Sequence, residues 1–489
     1  MPIETPTSAR DCAAELSLKS GHLINGQLVQ GTVEAVVAAP WDHNLTVHYT
    51  QAAVDEVHEA VAGARAAFRK LRKEGGGHPS HWLLAIADRL ESEQEEFATL
   101  ISFENGKLQP AALGEAAGAA ASLRYWAGLK PSEEIIDSSP THETRLLRSP
   151  LGVVAAITPF NMPLLMMVNK IGAALVAGNT IVCKPSPHTP LTAMYFARLV
   201  ADIVPAGVIN IVCGGDDAGP ALTSSADVDM VTFTGSVGVG KAIMASAATT
   251  LKRVQLELGG NDPAIIGADV DLDEVVPKIF QAAFSSSGQA CVAVKRVYAH
   301  QSIADEVAHR LAELASMARP GSPYGSDATM PALTTRGQFE FMRRLLDDSR
   351  SRGASIIFEG HSSDAGGYFA QPTIVTGLPN GAPLVEEEQF SPILPVVAFT
   401  NVDDVIELIN RGRFGLGATV WTEDEEMAHH VTEQLESGMV WVNGLGRPNP
   451  SVPFGGAKES GVGREGGQLG LDAFTELKSA TFNFKEQAK

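Results

Sequence analysis

The apolar positions change their rhythm along the chain. Val54, Val57, Val61, Ala64, Phe68 and Leu71 recur at three- and four-residue spacing. At 3.6 residues per turn these positions share one face, so the pattern predicts an amphipathic helix. A second helix is predicted over residues 82–97, set apart by Gly75-Gly76-Gly77. From about residue 150 the apolar residues gather into short runs at 151–157, 180–183, 208–212, 230–233, 254–258 and 264–266. Each is bounded by Gly, Pro or polar residues, and several are rich in Val and Ile. Such runs read as buried strands of a parallel sheet. Helical stretches lie between them, among them 190–204 and 240–249, and the alternation predicts a doubly wound α/β sheet.

A second α/β region is expected from about residue 260, with helices at 273–284, 303–317 and 338–351 and a loop-rich stretch at 381–395 holding three prolines. In the tail, Leu477, Ser479, Thr481 and Asn483 alternate with Lys478, Ala480, Phe482 and Phe484. This two-residue period reads as an edge strand available to pair with another subunit. Internal repeats and low-complexity tracts are absent.

Length and charge narrow the classes. A chain of 489 residues accommodates two to four domains at roughly 100–200 residues each. With 44% hydrophobic and 19% charged residues it has ordinary globular composition, which excludes a disordered chain. Acidic residues outnumber basic ones by 57 to 37, a formal net charge of −20, which gives no basis for binding nucleic acid or an anionic membrane. The longest apolar stretch, 162–183, is interrupted by Asn169, Lys170 and Asn179, so no membrane span is expected. No basic segment followed by an apolar core opens the chain, so no secretory signal is expected. Cys12, Cys183, Cys213 and Cys291 are scattered, without a Cys-x-x-Cys pair. A structural zinc is therefore not expected, and a reducing, cytoplasmic setting fits.

Several short segments carry candidate chemistry. Gly235-Ser-Val-Gly-Val-Gly240-Lys241 nearly matches a phosphate loop, but Ala242 stands where the Mg²⁺-binding hydroxyl belongs, which disfavours a nucleotide triphosphatase. The segment still joins a strand to a helix, and the N–H groups of such a helix start suit a pyrophosphate; the competing reading is a structural glycine turn. Gly214-Gly215 after another strand is a weaker signal of the same kind. Cys291 lies among small residues in Ser285-Ser-Ser-Gly-Gln-Ala-Cys291, as at a site where backbone approaches a reacting group; the alternative is an inert buried thiol. Glu257 sits in Val254-Gln-Leu-Glu257-Leu-Gly-Gly260. Burial there raises a carboxyl pKa toward general-base range, whereas a solvent-facing strand end would leave it ordinary. Asn161 follows Thr-Pro-Phe and precedes Met-Pro, placing either a turn former or an amide donor for an oxyanion. Lys184 ends an apolar strand, on the sheet edge where open α/β folds bind ligands. Neither a His-Glu-x-x-His helix nor a Gly-x-Ser-x-Gly turn is present, and the 13 histidines form no metal-binding cluster in the sequence.

In order along the chain, Leu23-Ile-Asn-Gly26, Thr158-Pro-Phe-Asn161, Lys184-Pro-Ser, Phe233-Thr-Gly-Ser236, Leu256-Glu-Leu-Gly-Gly260, Gly288-Gln-Ala-Cys291, Glu387-Glu-Gln-Phe390 and Pro453-Phe-Gly-Gly456-Ala-Lys458 resemble the aldehyde dehydrogenase superfamily over nearly the whole length. The resemblance implies oxidation of a small-molecule aldehyde to a free carboxylic acid with reduction of NAD or NADP. The intermediates would be a thiohemiacetal and a thioester on Cys291. Cys291 would be the nucleophile, Glu257 the general base, and Asn161 with the Cys291 N–H the oxyanion site. Lys184 would bind the adenosine ribose, Ser236 the pyrophosphate and Glu388 the nicotinamide ribose, with Phe390 against the nicotinamide. Further cofactor contacts are expected from Thr158, Phe160, Ser186, Gly214, Phe233, Gly235 and Leu258, and no metal is required.

The implied fold has a doubly wound dinucleotide-binding domain (1–130 and 150–258), an α/β catalytic domain (259–474) and a small β oligomerisation element (131–149 and 475–489) that would build a homodimer or homotetramer. Three positions depart from the pattern. Ser391 stands where relatives often have Gly, Phe160 replaces the usual Trp, and Pro187 replaces the Glu of NAD-preferring relatives, which leaves NAD versus NADP open. Glu257 separates this chain from CoA-acylating relatives, which generally lack it. The intact nucleophile separates it from crystallin-like relatives without turnover. Met166, Ala290, Val292 and residues 444–451 are expected to line a largely uncharged substrate pocket suited to a neutral aliphatic or aromatic aldehyde. Arg124 or Arg447 would be the cation for an acidic one.

Overall fold

A computed structural model describes residues 6–446 and 449–484. Arg447 and residues 485–489 of the expected oligomerisation element lie outside the described residues. Four parallel strands form the middle of a first sheet: β1 (Val153–Ile157), β2 (Thr180–Lys184), β3 (Met230–Thr234) and β4 (Arg253–Glu257). Their order is β2, β1, β3, β4. Beyond β2 lie parallel Ile209–Ile211 and then antiparallel His22–Ile24 and Gln27–Val29. Gly461–Val462 adds an antiparallel edge to β4.

Alternation along the strands feeds two cores. Val154, Ala156, Ile181, Cys183 and Met230 join one, with Leu164, Met167 and Ile171 of helix α1 (Pro163–Val176). Val153, Ala155, Val182, Val231 and Phe233 join the other, with Val57, Val61 and Ala64 of the Val54–Lys73 helix and Ile243 of α2 (Val237–Ala248). Successive strand residues point to opposite faces, so a run that is apolar throughout must be covered on both sides. Full burial of each Val, Ile or Leu contributes about 1.5–3 kcal/mol relative to exposure. Gly178, at φ +85°, ends α1 and turns the chain into β2.

The second sheet runs Ser355–Phe358, Thr373–Thr376, Ile393–Phe399, Val294–His300, Asp262–Ile266, Gly417–Trp421, Met439–Val442. Its pairs are parallel except the first. Val294–His300 is termed β5 and Ile393–Phe399 β6. A three-stranded antiparallel sheet joins Glu134–Ser138, His142–Pro150 and Thr475–Asn483. No helix of the described residues is long and apolar enough to cross a membrane.

The structure corrects several sequence expectations. Residues 82–97 fall in two helices, Pro79–Ser92 and Gln94–Asn105, broken at Glu93 (φ −116°, ψ 23°). The Glu93 carboxylate accepts from the Tyr195 hydroxyl at 2.7 Å and pairs with Arg198. The 381–395 loop holds a short Pro383–Glu386 helix and the start of β6. The tail strand pairs along its length with His142–Pro150 of its own chain, and its other edge has no strand partner among the described residues.

Candidate active site

The carboxyl ends of β1–β4 meet the segments that enter β5 and β6. Adjacent strands lie about 4.8 Å apart, so residues just past β1–β4 are neighbours by construction. After β1, Asn161 is reached through a turn that Pro163 closes by opening α1. Its side-chain N–H₂ donates to the Gln289 carbonyl at 3.0 Å. The Asn161 carbonyl accepts from Lys107 Nζ at 3.1 Å, and Lys107 forms a buried ion pair with Glu115. Glu115 also accepts the N–H groups of Leu164 and Leu165 at 3.0 and 3.3 Å. The turn is thus fixed on both sides of Asn161.

Cys291 lies in a turn closed by the Ala293 N–H on the Ala290 carbonyl at 3.2 Å, just before β5. Upstream, Ser286 (φ 51°) and Ser287 (φ 57°) are left-handed, a strained conformation for non-glycine residues. Their surroundings hold them: Ser287 Oγ donates to the Pro331 carbonyl at 2.7 Å, and Gln289 Oε1 accepts the Thr334 N–H at 2.9 Å. The Cys291 side chain is partly exposed. Burial pushes its thiol up to about 12, with Lys295 opposing and Asp262, Glu257 and Glu388 adding to the rise. Cys183 and Cys213 are free, buried thiols pushed still higher by burial.

Glu257 ends β4 and is 3% exposed, and neither carboxylate oxygen has a hydrogen-bond partner among the described residues. Burial, then Glu465, hold it well above the ordinary carboxylate range, while Lys170 and Arg464 oppose. Lys170 of α1 donates to Thr232 Oγ1 at 3.0 Å and pairs with Glu465. The double glycine after Glu257 lets three elements converge. A Cβ on Gly259 would run into the Glu388 carboxylate, and one on Gly260 would lie 2.9 Å from the Cys291 carbonyl oxygen. Glu388 accepts the Gly260 N–H at 3.2 Å, and burial raises its pKa.

The remaining candidates surround the same strand ends. Lys184 closes β2, is 6% exposed and donates to the Pro185 carbonyl at 3.3 Å; burial lowers its pKa against Cys213, Asp216 and Asp217. The Lys184 carbonyl accepts the Thr158 N–H at 3.0 Å, and buried Thr158 Oγ1 has no hydrogen-bond partner among the described residues. Ser186 Oγ accepts the His188 N–H at 3.2 Å. Gly214 bridges to Ala52, and a Cβ there would meet Ala218. Phe233 is buried under Gly235, where a Cβ would strike its ring. Ser236 caps α2, accepting the Val239 N–H at 3.4 Å, and Ser236 and Gly238 are exposed. Leu258 packs under Gly240, whose added Cβ would lie 2.7 Å from it.

The Phe390 ring lies 6.1 Å from Phe160, edge to face. Phe390 itself is left-handed (φ 48°), whereas Ser391 is not, so the side chain at 391 meets no backbone conflict.

Some of the chemistry is illegible in short motifs. Lys107, Glu115, Lys170, Glu465 and Lys295 stand around the site, and the motif reading passed over all five. The available signal was a lysine inside an apolar stretch, in α1 for Lys170 and ahead of and within β5 for Lys295. Of the pocket positions, Met166, Ala290 and Val292 are half-buried. Arg124 is engaged by Asp88 and Glu91 at 2.6 and 2.7 Å and is therefore not a free cation for an acidic substrate. A separate cavity of about 460 Å³, lined by Leu108, Ala111, Phe280, Phe284, Leu314 and Met317, adjoins Lys107 and Ser285-Ser286.

Residues 29–480 match the model of the aldehyde dehydrogenase family. An aldehyde dehydrogenase of Enchytraeus buchholzi is 39% identical over 435 residues, covering 87% of each chain. The structure of an aldehyde dehydrogenase from Bacillus cereus in complex with NAD+ superposes with a TM-score of 0.92 at 34% identity, over 95% of this chain and 97% of that one. An NADP-dependent enzyme of E. coli superposes with a TM-score of 0.91 at 32% identity, over 95% and 98%.

Proposed function

The chain belongs to the aldehyde dehydrogenase family, and from that premise we propose that Cys291, Glu257 and Asn161 carry its chemistry, NAD(P)-dependent oxidation of an aldehyde to a free carboxylic acid. The observation that carries the assignment is Glu257: a buried carboxylate without a hydrogen-bond partner among the described residues, joined through Gly259-Gly260 to the Cys291 turn.

The Cys291 thiolate adds to the aldehyde carbon and gives a thiohemiacetal. The Asn161 amide and the Cys291 N–H supply donors for its oxyanion; removing such a donor costs roughly 2.7–4 kcal/mol of transition-state stabilisation. A bound NAD(P)+ would supply the hydride acceptor, and loss of hydride from the thiohemiacetal carbon would leave a thioester on Cys291. Glu257 then removes a proton from water as its oxygen attacks the thioester. The acid departs and the thiol is restored.

The residues fit a dinucleotide. Buried Thr158 Oγ1 is unpaired, the first turn of α2 opens to solvent at Ser236, and Gly235 and Gly259 keep side chains out. Lys184, with Ser186 and Gly214 nearby, would hold the adenosine ribose, Gly235 and Ser236 the pyrophosphate, and Glu388 the nicotinamide ribose. Thr158, Phe160, Phe390 and Leu258 would wall the nicotinamide, with Phe233 supporting the turn. Both cofactors are expected to be accepted, because Pro187 offers no carboxylate to ribose hydroxyls or against a 2′-phosphate. Their kcat/KM ratio is then expected to stay within about a thousandfold, roughly 4 kcal/mol.

The same proposal assigns residues 1–130 and 150–258 to dinucleotide binding, 259–474 to catalysis and 131–149 with 475–489 to subunit contact in a homodimer or homotetramer. Exposed Ile135, Ile136, Leu477 and Phe482 on the three-stranded sheet support the last. Four free cysteines fit a cytoplasmic setting. The test is a panel of neutral aliphatic, aromatic and acidic aldehydes with NAD+ or NADP+, following reduced nicotinamide and product together. Free acid in equal amount is expected. Turnover that requires CoA and yields a thioester would overturn the hydrolytic reading.

A further inference from the structure

Lys295 is buried in β5 at 2% exposure, among Val294, Arg296, Val297 and Tyr298, which are buried too. A lysine in such a strand loses hydration that its partners must replace. Its ammonium does not reach outward. Nζ turns back toward the start of the strand and donates to the Ala290 carbonyl at 2.5 Å and the Ala293 carbonyl at 3.3 Å. Those two carbonyls bracket Cys291 and Val292, and the Ala290 carbonyl also accepts the Ala293 N–H that closes the turn. Nζ lies 5.6 Å from the centre of the Phe390 ring. The Lys295 carbonyl accepts from Gln389, so the same residue ties the nucleophile turn to the Glu388–Phe390 segment.

We propose that Lys295 is a positioning residue for the nucleophile: its ammonium pins the Ala290–Ala293 turn and supplies the fixed positive charge against which Cys291 releases its proton. The inference rests on Cys291 being the nucleophile. Among the described residues, the other charges acting on the thiol are the carboxylates of Asp262 at the start of its strand, Glu257 at the end of β4 and Glu388 before β6. All three oppose a thiolate and Lys295 favours it; burial lowers the pKa of Lys295, and Glu388 and Asp262 support its charge. Arg296 on the same strand is turned elsewhere, donating to the Asn261 carbonyl at 3.0 Å and, at 3.3 Å, to that of Val385. Arg413 acts on Glu388. The thiol proton leaves to solvent or base; Lys295 neither accepts nor donates it.

The test reads thiol ionisation without cofactor or turnover. Iodoacetamide alkylation of Cys291, followed by mass spectrometry of its peptide, is measured across pH in the wild type, Lys295→Met and Lys295→Gln. Met keeps the length and removes both charge and donors; Gln keeps a donor for the carbonyls and removes only the charge. In both variants alkylation of Cys291 is expected to be roughly tenfold slower than in the wild type at each pH from about 7 to about 9. Asp262→Asn is expected to speed it. Folding of each is checked by circular dichroism; if Met fails to fold, Gln decides. Wild-type profiles in folded variants would overturn the role of Lys295 and leave the nucleophile assignment standing. Full turnover after complete alkylation of Cys291 would instead overturn the nucleophile assignment.

Discussion

The Asn161 side-chain amide donates to the Gln289 carbonyl, two residues before Cys291, at 3.0 Å. The donor proposed for the oxyanion is therefore tied to the loop that carries Cys291, and its position follows that loop. Asn161→Ala is expected to lower kcat by about 10²–10³-fold. The change in KM should be small, because an aldehyde carbonyl carries little of the charge that the donor stabilises. Steady-state kinetics check this; a kcat within about threefold of wild type would remove Asn161 from the oxyanion site.

Glu257→Gln separates the two half-reactions. The carboxamide keeps the shape but accepts no proton at neutral pH. Rapid mixing with aldehyde and NAD(P)+ is expected to give a burst of reduced nicotinamide near one equivalent per site and then a rate slower by at least about a hundredfold. The acyl group should appear as added mass on Cys291. Loss of the burst would mean that Glu257 acts before hydride transfer.

If Glu257 and Cys291 react as proposed, their acidity sets the pH dependence. Burial raises Glu257 well above the ordinary carboxylate range and raises Cys291 to about 12 before any ligand binds. Each must lose a proton to act, so higher pH increases the active form of both. Activity is expected to climb from neutral into alkaline pH, with the acid limb of kcat well above the normal Glu value. A pH–rate profile that is already flat at about pH 5 would contradict this.

Gly259→Ala places a methyl group against the Glu388 carboxylate. Overpacking of this kind costs typically 1–3 kcal/mol. Cofactor affinity is expected to fall about tenfold or more, measured by quenching of tryptophan fluorescence, with a modest loss in Tm. Unchanged affinity would mean that Glu388 does not hold the cofactor.

The fold was legible where one pattern implied one environment. The runs that became β1 to β3 are mostly apolar and buried on both faces, as a sheet covered on both sides requires. The break at Glu93 was hidden because its cause is the pull of Tyr195 and Arg198 from another helix. Cys291, Glu257 and Asn161 stand out as candidates in the sequence because each lies in a compact motif with Gly or Pro nearby. Lys107, Glu115, Lys170 and Glu465 could not, since pairs such as Lys170 and Glu465 lie far apart in sequence and acquire meaning only when the strands assemble.

The order in which these strands meet has a consequence for synthesis on the ribosome. His142–Pro150 emerges long before Thr475–Asn483, and β4 long before Gly461–Val462. Until those late segments arrive, the nascent chain carries two open sheet edges, one of them beside the general-base candidate. Open edges of this kind are templates for pairing with other chains. The interval between early and late strands is therefore the period in which this protein most needs shielding by a chaperone, and slower translation of the last third would lengthen it.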